Sequence, residues 1–242
     1  MENFSAFRGP ILIGISAVGF GLVPIFVIMT FGSGVNNFTL LFLRFFVASI
    51  FMFGLFFGRK LKFPTGKQIL SFLLLVGIGY VGQSFCYFSA LNYAPSSVVS
   101  LLLYTYPMLV MIGSVLVFKE QVTKKKVFGL LLALSGAFVI IGGQIGGEAT
   151  GILLALSAAI IYTVYILVSS RVIGEGMGIQ SSAFITLGAT IVFGVMALLF
   201  GFSLPKTSTG WMGALLIAFA STVLPMWAFL QEWKKRGLLW RR

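Results

Sequence analysis

The chain of 242 residues has no histidine and a single cysteine, Cys86. The first absence removes the commonest zinc ligand and the usual acid or base near neutral pH. The second excludes an internal disulfide framework and any cysteine-cluster metal site. Charge is scarce as well. Only 9% of residues are charged and five are acidic, whereas a soluble domain carries about 25% charged residues. None of the acidic residues falls inside an apolar run, so no carboxylate proton relay is legible. The glycine-rich stretch from Gly142 to Gly147 lacks the lysine and the strand–helix setting of a phosphate loop. No nucleophile stands with a base. The residues therefore assign no catalytic group, no cofactor and no metal, and the chain is expected not to be an enzyme.

Apolar residues fill the space that charge leaves. They make up 59% of the chain, and the mean hydropathy is +1.06. The bulk solvent is lipid. Eight runs are long enough, or nearly so, to cross a hydrocarbon core of roughly 30 Å, which takes about 20 helical residues. They are Ile11–Phe31, Phe38–Phe57, Gln68–Ala90, Pro95–Val117, Val127–Ile141, Gly151–Ser169, Ser181–Phe200 and Trp211–Leu230. The amino terminus carries an acidic residue and no obvious cleavage site, so the first run is expected to stay as a span rather than to be removed as a signal peptide.

The net charge of +12 could suggest nucleic acid, but the basic residues sit at the ends of the runs. Alternate assignment of the loops puts 15 of the 17 basic residues on one side. Lys206 alone falls on the other, and Arg44 lies inside the second span. That bias predicts a multi-pass protein of the cell membrane with both termini cytoplasmic. The expected partners are the lipid bilayer and a small-molecule substrate, without nucleic acid.

Polar groups inside the spans are the candidate site residues, because lipid is a poor host for them. Tyr80, Gln83 and Tyr87 share one helical face at spacing i, i+3, i+7. That face lines either a watery cavity or an interhelical contact. Tyr104, Tyr106, Tyr162 and Tyr165 are further cavity candidates, although tyrosine near an interface also serves as a simple anchor. Arg44 is either an anion-attracting or gating group or a side chain that snorkels to the outer surface. Pro24, Pro107 and Pro225 fall within spans and are candidate breaks or hinges. Glu120, among lysines, reads as a cytoplasmic loop anchor. The lysines at 124 to 126 could meet anionic lipid, although orientation alone explains them.

Several of these residues sit in stretches that resemble a known family. Leu43-Arg44-Phe45 looks like a conserved arginine motif of EamA-like members of the drug/metabolite transporter superfamily. The stretch Phe88 to Ser97, with Ala90-Leu91 and Pro95, is similar to their junction between spans 3 and 4. Tyr106-Pro107 resembles a span 4 proline, and Lys119-Glu120-Gln121-Val122-Thr123 the loop after it. Gly151 looks like the opening of a second copy. The resemblance implies an all-α polytopic transporter with two inverted five-helix repeats. It further implies secondary transport of small organic metabolites or drugs across the cytoplasmic membrane. On this pattern residues 1–143 form the first repeat, and 144–242 supply three helices of an incomplete second repeat plus a basic tail. The alternative is a truncated or split, non-transporting scaffold remnant of such a carrier. A homo-oligomer or a complementing chain would then be a partner.

Overall fold

The computed structural model describes residues 18, 19, 21–141, 146–174 and 177–220. All regular structure there is helical. The helices are α1 (Gly21–Phe31) and α2 (Asn37–Gly58), then α3 (Gly66–Leu74), a π-helical segment (Leu75–Tyr80) and α4 (Val81–Ala90). Next come α5 (Ser96–Leu103), α6 (Tyr106–Phe118) and α7 (Lys124–Ile141). The last are α8 (Ala149–Val172), α9 (Gly178–Phe200) and α10 (Ser208–Ala218). Among the described residues, four stretches are long and apolar enough to cross a membrane: α2, α5 with α6, α8 and α9.

Where boundaries differ from the hydropathy reading, local capping explains the shift. Asn36 caps α2 by accepting from the Thr39 amide, so the helix opens one residue early. Thr123 accepts from the Lys126 amide through its carbonyl and hydroxyl oxygens. Helix α7 therefore starts at Lys124, and the three lysines form its first turn instead of preceding it. At the other ends, α2 and α6 close with Lys60 and Lys119 in the left-handed region (φ 49° and 55°). Leu61 and Glu120 donate back to Phe56 and Ser114, which satisfies carbonyls that the helices leave open.

The three candidate prolines behave differently. Pro107 lies in the first turn of α6. Its ring excludes the carbonyl of Leu103 and it offers no N–H to that carbonyl, so α5 ends at Leu103. Thr105 bridges the gap by donating its hydroxyl to the Leu102 carbonyl. Pro24 does not break α1, which runs through it within Gly21–Phe31. Pro225 lies outside the described residues. Span 3 is interrupted where no proline stands, by the π turn that ends at Tyr80.

The central pairing is α2 along α9. It is antiparallel. The start of α2 meets the end of α9, where Asn36 donates to the Gly201 carbonyl (2.5 Å) and Phe38 stacks on Phe200 (5.1 Å). At the opposite end Phe56 meets Phe184 (6.2 Å). Helix α4 and the π segment pack on α8. Helix α1 packs on α10, where a Cβ on Gly213 would stand 3.0 Å from the Phe26 carbonyl oxygen. The π segment and α3 also touch α9, as α10 touches α2. Exchange of α1, α2 and α3–α4 with α8, α9 and α10 maps this set of pairings onto itself, the pattern of a pseudo-symmetric repeat. Apolar side chains such as Leu116, Val139, Leu198 and Leu199 cover the outside, as lipid contact requires.

Candidate substrate site within the membrane

Arg44 lies seven residues beyond Asn37, about 10 Å along the α2 axis from its amino-terminal end. The side chain turns inward and is 7% exposed. Its guanidinium carbon stands 4.8 Å from the centroid of Phe45 and 5.1 Å from that of Phe88. Rings hold a cation by their negative faces, and more strongly where water is excluded. Tyr80, Tyr87 and Tyr162 lie within electrostatic reach of the same group. The arginine thus joins the protein interior and does not take the outward snorkelling course.

The face foreseen on span 3 survives the π turn, because Tyr80, its last residue, leads directly into α4. Tyr80 is half-buried and packs edge-on against Phe45 (5.3 Å). Gln83 is 9% exposed, and its carbonyl oxygen accepts from the Ser84 hydroxyl at 3.3 Å. Tyr87 is 6% exposed and shares a hydrogen bond of 3.4 Å with Ser100 on α5.

The tyrosines of spans 4 and 6 join this face. Tyr165 lies 5.5 Å from Tyr80, and Tyr162 stacks nearly parallel to Tyr165 at 6.0 Å. Tyr106 meets Tyr162 edge-on at 4.7 Å. A continuous run of rings therefore leads from Phe193 on α9 through Phe45, Tyr80, Tyr165 and Tyr162 to Tyr106 on α6. Its closeness depends on Gly79, where a Cβ would stand 2.6 Å from the Tyr165 ring. Tyr104, exposed at the break between α5 and α6, lies at the edge of the cluster within electrostatic reach of Tyr87 and Tyr106. Glu120 is exposed at the end of α6, and Arg171 at the end of α8 covers the Phe118 ring at 4.0 Å.

Sequence reasoning missed Phe45, Phe88, Phe193 and Ser100. The chain has 26 phenylalanines, so no single one stands out. Adjacency to Arg44 was the only signal for Phe45.

Two layers bracket the cluster. At the amino-terminal end of α2, Asn36 donates its backbone N–H to the Ser203 hydroxyl (2.8 Å), and the Ser203 backbone N–H donates to the Thr39 hydroxyl (3.1 Å). Asn37 donates to Ser89 at 2.6 Å, and the Glu148 amide donates to the Tyr93 carbonyl (2.9 Å). Toward the carboxyl-terminal end of α2, Phe53, Phe56, Phe57, Phe63 and Phe184 form one aromatic cluster. Among the described residues no group of three potential metal-ligating side chains exists.

A helical membrane bundle with an inward polar and aromatic face matches a known sequence model. The EamA-like transporter family model covers residues 7–142, more than half of the chain. The chain belongs to the EamA-like transporter family. It is a multi-pass membrane protein of a transporter family and not an enzyme. An aromatic amino acid exporter, YddG, from Ancylobacter novellus is 34% identical over 99 residues, or 38% of this chain and 34% of that protein. An uncharacterized transporter from Haemophilus influenzae is 26% identical over 76% of this chain and 62% of its own length. The uncharacterized transporter YetK of Bacillus subtilis is 29% identical over 75% and 58%. The chain thus spans less than two thirds of the length of each of these curated relatives. A solved crystal structure shares the fold with a TM-score of 0.66 at 23% identity, covering 89% of this chain and 78% of that one.

Proposed function

We propose that the chain is a secondary transporter that moves small organic metabolites across the cytoplasmic membrane. The observation that carries this reading is the inward cluster of Tyr80, Gln83, Tyr87, Tyr106, Tyr162 and Tyr165 around Arg44, on spans 2, 3, 4 and 6. Hydrogen-bonding tips on flat apolar bodies suit small amphipathic ligands. The aromatic amino acid exporter among the relatives is in keeping with a ring-lined site.

The scaffold for movement is an inverted repeat, with residues 1–143 as its first unit and 144–242 as its second. Two equivalent helices that run antiparallel, as α2 and α9 do, are related by an axis perpendicular to both. That axis would lie in the membrane plane, which is the arrangement that permits alternating access around a central site. We take eight spans, both termini cytoplasmic, and the break at Pro107 as a hinge.

The test is flux. The purified 242-residue chain is placed in proteoliposomes, and uptake of a panel of labelled amino acids and ring-bearing metabolites is measured against empty vesicles. Saturable uptake of at least one compound is expected. Vesicles that take up none faster than the empty controls would reject transport in favour of a membrane scaffold.

A further inference from the structure

We infer that the turn from Arg59 to Phe63 is a docking surface for anionic lipid, with headgroup phosphate against its cations and acyl chain against its exposed rings. The surface stands apart from the transport site and does not depend on it. Among the described residues, nine exposed basic side chains lie at one end of the bundle, on segments 59–67 and 119–126 and at Arg171. Three contacts put these segments at the same end. Phe56 meets Phe184 near the start of α9 (6.2 Å), Gln68 donates to the Met177 sulfur (3.2 Å), and Arg171, shortly before Met177 in the chain, covers the Phe118 ring (4.0 Å). Against these cations stands Glu120, the one acidic side chain described at that end. At the opposite end the one described basic residue is Lys206.

Orientation bias asks only for positive charge near the end of a span. The end of α2 shows more. Lys60 stands in the left-handed region (φ 49°), a conformation that glycine takes at no steric cost. Lys119 does the same after α6 (φ 55°), and among the described residues these two lysines are the non-glycine residues with positive φ. At Lys60 the chain reverses, as its amide donates to the Phe57 carbonyl (2.9 Å) and the Leu61 amide to the Phe56 carbonyl (3.2 Å). The reversal lays Phe63 back on the end of α2, 5.1 Å from Phe56 and 6.2 Å from Phe57. Pro64 beside it is buried, so the turn is packed in place. Phe57 and Phe63 nonetheless stay 60% and 65% exposed. The turn thus presents two rings together with Arg59, Lys60 and Lys62, all exposed, at the margin of the apolar band. Rings at that depth lie among the chains, and cations beside them stand at the level of the phosphates. A zwitterionic headgroup offers its phosphate with a cation attached, whereas an anionic lipid offers it uncompensated. A soluble anion would use the cations without the rings, and a plain aromatic anchor the rings without the cations.

The experiment places a fluorescent reporter in the full chain by Phe63→Trp, in nanodiscs of phosphatidylcholine. A minor fraction of the lipid carries bromine, which quenches indole on contact, on its chains near the headgroup. That fraction is either phosphatidylglycerol or phosphatidylcholine. The signal of the four native tryptophans is subtracted with the unsubstituted chain. Phe202→Trp, at an exposed ring of the opposite end, is the control. Quenching at position 63 is expected to show phosphatidylglycerol enriched over phosphatidylcholine by at least about fivefold, the scale of one basic residue near an anionic surface. At position 202 the two lipids are expected to quench alike. Salt at about 1 M, where charge is screened within about 3 Å, is expected to remove the enrichment. Arg59→Gln, Lys60→Gln and Lys62→Gln together are expected to do the same. Equal quenching by the two lipids at 63, equal enrichment at both ends, or enrichment that survives the triple substitution overturns the inference. Displacement of phosphatidylglycerol by inorganic phosphate at matched ionic strength would make the turn a site for soluble anions, and would overturn it too. The salt comparison decides the matter where the triple variant does not insert. For the unsubstituted chain, native mass spectrometry from an equal mixture of the two lipids is expected to show phosphatidylglycerol retained in preference, and equal retention would also overturn the inference.

Discussion

Gln83 shows what one residue contributes. It is buried in an otherwise apolar span, and its side-chain carbonyl oxygen accepts a hydrogen bond from its own neighbour Ser84. An interhelical hydrogen bond in a membrane is worth only ~0.6 kcal/mol on average. Gln83→Leu is therefore expected to insert at near wild-type abundance. Flux, normalised to inserted protein, is expected to fall, because loss of a buried ligand contact costs about 1–3 kcal/mol. Wild-type flux, or a drop in abundance that accounts for all lost activity, would make Gln83 a packing residue. The inward turn of Gln83 and Tyr87 was legible from spacing and the cost of polar groups in lipid. The surroundings of Arg44 were not. Inward packing and outward snorkelling are equally compatible with an arginine early in a span, and only the approach of Phe88 from another helix separates them.

At the scale of elements, the broken span 4 is the part whose mechanics follow from one residue. Pro107 ends α5 at Leu103, and Thr105 bridges the gap. Pro107→Ala would allow a continuous helix from Ser96 to Phe118. Amide hydrogen exchange is expected to slow across residues 104 to 108, and thermal stability in detergent is expected to rise. Flux is expected to fall if the break serves as a hinge; unchanged flux with slowed exchange would make it a passive kink. The sequence carried this break as a candidate, since a proline inside a helix offers no N–H to the carbonyl four residues back. The π turn in span 3 had no such marker. Nothing in Leu75 to Tyr80 forbids an α-helix, and the wider turn forms where the segment packs on both α8 and α9.

For the whole molecule, the polar layer near Asn37 and the aromatic layer near Phe56 close the cluster on two sides. The Asn37–Ser89 hydrogen bond joins α2 to the end of α4. If this seam must part during transport, cysteines at 37 and 89 in a Cys86→Ser background will arrest flux when oxidised and release it on reduction. Flux that is indifferent to oxidation of a verified cross-link would remove the seam from the cycle. Orientation has its own test. Reporter fusions at residue 62 and at the carboxyl terminus are expected to report cytoplasmic, and a fusion at residue 35 is expected to report external. An external signal at residue 62 would overturn the assignment of both termini to the cytoplasm.

Composition and periodicity alone determined that this chain lives in lipid as a bundle of helices, and that the polar face of Gln83 and Tyr87 must turn inward. Each follows from a cost that a residue pays locally, in lipid or in its own helix. Tertiary structure decided which helices meet. The antiparallel match of α2 with α9, and of α4 with α8, depends on the fit of side chains far apart in the chain, such as Tyr165 against Gly79. The enclosure of Arg44 by rings from two helices, and the run of rings that leads away from it, arise from that fit.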